Sequence, residues 1–141
     1  MSDRHVSVVV VTYDSAEFIE SCLEAVAQQT RPPAEIVVVD NNSADDSVER
    51  VRRLQLPIRV IRNQDNIGFA AAHNQGIRST TGDYYLALNP DVVMEPLFIE
   101  ELVKAFDVDP LVGSVSGRLL RSREGDGKSL IDSTGIYMTP R

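Results

Sequence analysis

Only one cysteine, Cys22, stands in the 141 residues, which excludes an intrachain disulfide and any thiolate zinc cluster built from this chain. Such cysteine usage fits a reducing cytoplasm. Basic residues are also scarce: 14 Lys and Arg stand against 21 Asp and Glu, a formal net charge of -7. Nucleic-acid affinity comes mainly from Lys and Arg neutralising phosphates, so no nucleic-acid partner is expected. Long apolar runs are missing too. The opening MSDRHVSVVVVTYDS returns to polar residues after a few valines, too soon for a signal-peptide core or a membrane span, and a cytoplasmic protein is expected. No Gly-x-Gly-x-x-Gly follows the first strand-like segment, which argues against a dinucleotide oxidoreductase. Internal repeats and low-complexity tracts are absent as well.

What is there is an ordinary globular composition, 43% hydrophobic and 25% charged, enough for one domain over residues 1–141 with a single core. Runs of β-branched residues alternate with segments of helical period. Val6 to Thr12 is nearly all valine, the mark of a parallel strand buried on both faces. Asp14 stands three residues before Glu17 in a capping-box pattern, and Phe18, Ile19, Cys22, Leu23, Val26 and Ala27 fall on one helical face. Pro32 and Pro33 forbid that helix from continuing. Further strands are predicted over Glu35 to Asp40, Ile58 to Arg62 and Asp83 to Leu88. Helices are predicted around Val48, Val51 and Leu54, from Gly68 to Ile77, and after Pro96 with Phe98, Ile99, Leu102, Val103 and Phe106 on the buried side. Gly76 reads as the terminator of the third helix. Past Pro110 the pattern weakens to strands over Val112 to Leu120 and Ile131 to Met138, separated by a charged loop from Arg121 to Lys128. The alternation is that of a doubly wound α/β sheet with helices on both faces.

Open α/β sheets bind ligands past the carboxyl ends of their strands, which directs attention to the residues there. Thr12 and Tyr13 lie on the outgoing turn of the first strand, whereas Asp14 and Ser15 read as caps. Asp40 ends the second strand, where a carboxylate accepts hydrogen bonds from a nucleobase or ribose; read alone, it serves equally well as a cap of the next helix. Asn42 shares that loop. In NIGFAAAHNQG the small residues allow close approach, Gly68 suits a tight turn, and Asn74 puts an amide where a structural helix prefers a stronger former. His73 alone carries little weight. Asn89-Pro90-Asp91 ends the fourth strand: Asn89 offers an amide, and Asp91 can hold Mg²⁺ or Mn²⁺ beside a substrate phosphate through few protein oxygens. By itself the tripeptide is an ordinary turn.

Together and in this order, VVVVTYDS, IVVVDNNSADDS, NQDNIGFAAAHNQGI and GDYYLALNPDV resemble glycosyltransferase family 2, and within it the rhamnosyltransferase-like members. The likeness is strong from Val6 to about Asp91 and weaker over GSVSGRLL and DSTGIYMT. It implies the GT-A fold, a nucleotide-diphosphate sugar donor (dTDP- or UDP-linked), a saccharide or lipid-linked acceptor and a divalent cation. Carried over by position, Thr12, Tyr13, Asp40, Asn42, Asn66, Gly68, Asn74 and Asn89 would bind the donor, and Asp91 the metal. Asn89 replaces the first acid of the family's Asp-x-Asp element, and Asp14 stands where Asn is common.

The family's general base lies downstream of the matched region, and no counterpart is found before Arg141; the spacing of Asp132 does not support that role. The chain therefore reads as the N-terminal, donor-binding portion of a longer enzyme, with the acceptor part missing. Uncovered apolar surface would then favour a homo-oligomer, and the full-length protein could associate peripherally with a membrane. Two other classes fit less well. A binding-only nucleotide-sugar module would share the fold without the base. A phosphoacceptor signalling domain needs a paired acid after the first strand, for which Asp14 is a poor match, and a lysine at a strand end, whereas Lys104 lies on a helical face.

Overall fold

The computed structural model describes residues 4–121 and 130–133. The chain groups into two compact units, residues 1–97 and 98–141.

In the first unit, β1 (Val6–Thr12), β2 (Glu35–Asp40), β3 (Ile58–Arg62) and β4 (Tyr84–Leu88) form one parallel sheet in the order β3-β2-β1-β4. Val8 pairs with Ile36 on one side and Leu86 on the other, so β1 is central, and every residue of β1 is buried. Valine suits this position because its branched side chain packs on the pleat and both faces are covered. Burying each valine side chain contributes roughly 1.5–3 kcal/mol.

Helices α1 (Ile19–Ala27), α2 (Ser47–Arg53) and α3 (Phe69–Ser79) connect the strands. Right-handed crossovers from β1 to β2 to β3 put α1 and α2 on one face, where they pack together. The connection from β3 back past β1 to β4 puts α3 on the other. There Ala72 joins Val9, Val11, Val37 and Val39, with Ile61 and Tyr85 packed around them. The winding direction reverses between β1 and β4, which makes that gap the topological switch point.

Several local expectations are corrected. Asp14 caps no helix: α1 begins at Ile19, its N-cap is Phe18, and the Asp14 carboxylate instead accepts the N–H groups of Ala44 and Asp45. Phe18 is 47% exposed and Ala27 is exposed, while Ala25 takes a place on the buried face. Gly76 does not end α3, which runs on to Ser79; it lies where an added Cβ would come within 2.5 Å of Val9 Cγ1, so its missing side chain lets the helix approach β1. Gly68, at φ 84°, does make the turn into α3.

In the second unit, α4 (Phe98–Phe106) has Ile99 and Val103 buried, with Phe98, Leu102 and Phe106 only partly so. The strand expected over 112–120 shrinks to β5 (Leu119–Arg121), which pairs antiparallel with β6 (Leu130–Ser133). Arg121 thus belongs to a strand, while 122–128 and the end of the other expected strand, 134–138, lie outside the described residues. Among the described residues no helix is long and apolar enough to cross a membrane.

One buried polar pair makes stability depend on pH. His73 on α3 meets the Tyr85 hydroxyl through Nδ1 at 2.5 Å, and its buried Nε2 has no hydrogen-bond partner among the described residues. Burial lowers the His73 pKa from the usual 6.5 and pushes Tyr85 up to about 12. The unfolded chain therefore takes up the His73 proton first, so stability should fall as pH drops below 6.5. Glu35 and Asp45, whose pKa values are lowered despite burial by hydrogen bonds to their carboxylates, lose their contribution only below about 4.5 and 3.8. Urea unfolding between pH 6.5 and 5 should show this slope, and His73→Gln should flatten it.

Candidate functional site

The carboxyl ends of β1, β2 and β3 are tied together before any side chain contributes: the Thr12 carbonyl accepts the Asn41 N–H at 2.9 Å, and the Asp40 carbonyl accepts that of Asn63 at 2.8 Å. The loops beyond them are then laced by short polar side chains. Ser43 Oγ accepts the Asp14 N–H, Ser47 Oγ accepts that of Ser15, and Asp45 accepts that of Ala16, all within 2.9–3.0 Å. Asp14 at φ 48° and Asn42 at φ 66° occupy the left-handed region, which Asp and Asn tolerate better than other residues with a side chain. These loops are shaped by one another.

A cavity of about 450 Å³ opens at the switch point. Tyr13, Asp14, Ser15 and Phe18 line it from the chain after β1, Asn41 from that after β2, Asn66 and Phe69 from the entry to α3, and Asn89, Pro90 and Asp91 from the end of β4. Tyr13, Phe18 and Phe69 are about half exposed. Among the described residues, the wall thus carries three aromatic rings, two carboxylates and no Lys or Arg.

Of the residues singled out in the sequence, Tyr13, Asn66, Asn89 and Asp91 meet on this wall. Thr12 and Asp40 do not: both are fully buried. Asp40 accepts the Ser43 N–H and pairs with Arg62 Nε at 3.3 Å, so it shapes the loop and holds a guanidinium. Asn42 and Asn74 are exposed away from the wall, and Gly68 lies between two residues that line it. Sequence reading missed Phe18, taken for core, and Phe69, hidden in a run of small residues. It also missed Asn41, whose side chain links Gly68 and Asn63. No periodicity signal could have found the aromatic pair, because its exposure depends on where the loops leave the sheet.

The two wall carboxylates differ. Asp14 Oδ1 is engaged by two backbone N–H groups, whereas the Asp91 carboxylate makes no hydrogen bond or ion pair among the described residues. No cluster of three or more His, Cys, Asp or Glu that could hold a metal exists among those residues. What fits here is a hard divalent cation held by one carboxylate, water and ligand oxygens, which is the sparse mode of Mg²⁺ and Mn²⁺ beside phosphates.

Residues 7–139 match the family described as Glycosyl transferase family 2, and the chain belongs to that family. It is 35% identical over 111 residues to the uncharacterized glycosyltransferase YwdF of Bacillus subtilis, covering 77% of this chain and 41% of the relative. Glycosyltransferase GlyG of Streptococcus pneumoniae is 30% identical over 115 residues, with 77% and 38% covered. Among solved structures, the mannosyltransferase PcManGT of Pyrobaculum calidifontis in complex with GDP-Man and Mn²⁺ superposes with a TM-score of 0.74 at 30% identity. That match covers 80% of this chain and 35% of the other. S. aureus TarS 1-349 in complex with UDP gives 0.66 at 27% identity, with 74% and 32% covered. The fold is that of the GT-A glycosyltransferases, and the chain spans less than half the length of each of these relatives.

Proposed function

We propose that this chain is the donor-binding portion of an inverting, metal-assisted hexosyltransferase that takes a nucleotide-diphosphate sugar, dTDP- or UDP-linked. Rhamnose is the sugar to test first, and a saccharide or lipid-linked molecule is the acceptor. The observation that carries this reading is the cavity wall at the switch point, where, among the described residues, aromatic rings share one pocket with an unengaged carboxylate and no basic side chain. Tyr13, Phe18 and Phe69 offer faces for a nucleobase, a contact worth about 1–3 kcal/mol per base. Asn41, Asn66 and Asn89 offer amides to ribose and phosphate oxygens. Asp91, with Mg²⁺ or Mn²⁺, would neutralise a diphosphate that the bare wall repels. When bound, such a cation stabilises charge on the departing diphosphate. The binding of GDP-Man with Mn²⁺ by PcManGT and of UDP by TarS supports the same reading.

The general base for the acceptor hydroxyl belongs to a region outside the described residues in this reading. Asp132 is a poor substitute, because Arg121 Nε donates to its carboxylate at 2.6 Å across the β5–β6 pair. The reading further places the protein in the cytoplasm, with peripheral membrane association and self-association to be tested on the full-length protein. Calorimetric titration of the chain with dTDP, UDP and GDP, with and without Mn²⁺, tests its centre. Mn²⁺-dependent binding of a pyrimidine nucleotide is the expected result. A folded chain that binds none of the three under either condition would remove it.

A further inference from the structure

The loop that carries Asp91 is held at both ends by the α1 segment. At the first end the buried Cys22 thiol donates to the Asn89 carbonyl at 3.5 Å, the same oxygen that accepts the Val92 N–H at 3.3 Å and so closes the turn around Pro90 and Asp91. At the other end, just past α1, the Gln29 side chain is 5% exposed; its Nε2 donates to the Glu95 carbonyl at 2.8 Å and to the Ala25 carbonyl at 3.1 Å. Thr30 reinforces that end, donating N–H and hydroxyl to the Pro96 carbonyl at 2.9 and 3.2 Å. Between the anchors Met94 is buried, while Asp91 and Val93 are exposed.

A buried glutamine costs free energy unless its amide is satisfied, and a buried thiol is among the weaker donors. Here each donates a hydrogen bond to a carbonyl of one loop that has no regular secondary structure of its own. A loop pinned at two points to a rigid element keeps a side chain in place without ordering it afresh when a ligand arrives, which lowers the cost of binding.

We propose that Cys22 and Gln29 are positioning residues for the cation-binding carboxylate: by fixing the Asn89 and Glu95 carbonyls to the α1 segment they hold Asp91 at the cavity wall. This rests on the reading of Asp91 as the cation ligand. Neither residue touches the cavity. Their side chains therefore act on the wall through the loop that they hold.

The test titrates UDP into the chain with and without Mn²⁺, for Gln29→Met, Cys22→Ala and Cys22→Ser, with Asp91→Ala as reference. Gln29→Met should weaken Mn²⁺-dependent UDP binding by about tenfold, as loss of outer-shell support does at metal sites, and leave binding of UDP alone unchanged. Cys22→Ala should weaken it several-fold, and Cys22→Ser, which restores a donor to the same carbonyl, should recover it. Amide exchange at Val92 and Val93, read without metal or nucleotide, should quicken in Gln29→Met and Cys22→Ala and return to the wild-type rate in Cys22→Ser. If Gln29→Met fails to fold, the Cys22 pair decides alone. Equal losses with and without Mn²⁺ would make the residues merely structural and overturn the proposal. A Mn²⁺ effect lost in Asp91→Ala but intact in both loop variants would overturn the clamp and spare the cation reading. A Mn²⁺ effect intact in Asp91→Ala would overturn the cation reading, and the clamp with it.

Discussion

Asp91→Ala is expected to move nucleotide binding in opposite directions with and without metal. In Mn²⁺ the variant should bind UDP at least about tenfold more weakly, a loss of roughly 1.4 kcal/mol or more. Without metal it should bind slightly more tightly than the parent chain. The reason is the charge on the wall: among the described residues that line it, Asp14 and Asp91 are the carboxylates and no Lys or Arg stands with them. A diphosphate arriving alone meets like charge, and because Asp91 is exposed, water screens the repulsion between unit charges 6–8 Å apart to about 0.5–0.7 kcal/mol. Removing Asp91 relieves that repulsion and forfeits the cation. Asp14→Asn should behave differently, because its Oδ1 remains to accept the Ala44 and Asp45 N–H groups and it gives up no cation ligand. Calorimetry on both variants checks the crossing. Parallel losses in the two conditions would show that Asp91 acts on the fold and not on a cation.

Gly76→Val should strongly destabilise the sheet unit. A Cβ at that position would sit 2.5 Å from Val9 Cγ1 and 3.1 Å from Cγ2, against a strand whose residues are all buried. Val9 has no open space to yield into, because it packs in the same cluster as Val11, Val37, Val39 and Ala72. Overpacking of this kind costs about 1–3 kcal/mol. The gain in helix propensity over glycine, under about 1 kcal/mol, does not offset it. For a unit of this size the melting temperature should drop by roughly 10 °C. Gly113→Ala is the control, since an added Cβ there meets nothing within 4 Å and the melting temperature should hardly move.

How much of this was legible in the sequence differs from element to element. The valine-rich strands announced themselves because a parallel strand buried on both faces needs an unbroken apolar run, and β1 and β2 fall where that run stands. The Asn89-Pro90-Asp91 turn was legible because it follows the fourth such run directly. Helix starts were harder to read. The Asp14 pattern satisfied the local rule for a cap, yet its carboxylate was drawn away by N–H groups 30 residues along the chain. Phe18 fitted the apolar stripe of α1 by spacing, but it sits at the N-cap, where the helix no longer dictates which way a side chain is covered.

The strand-end residues divided between wall and interior for the same reason. Asp40 ends its strand as the sequence indicated, but whether a strand-end carboxylate faces a ligand or turns inward depends on which partner reaches it. Here Arg62, at the end of the adjacent strand β3, pairs with it. Tyr13 and Asn66 face the cavity because their loops flank the reversal of winding between β1 and β4.

From its sequence alone this chain was committed to a valine-built parallel sheet, to the alternation of strand and helix, and to polar residues at the strand ends, because those properties depend on neighbours a few positions away. Which of those polar residues share a wall was decided only in three dimensions. The order β3-β2-β1-β4 brings residue 13 beside residue 91 and leaves Asp40 sealed behind Arg62. The hold of Cys22 and Gln29 on the Asp91 loop belongs to the same level, since hydrogen bonds between residues 66 and 67 positions apart exist only once the sheet has closed.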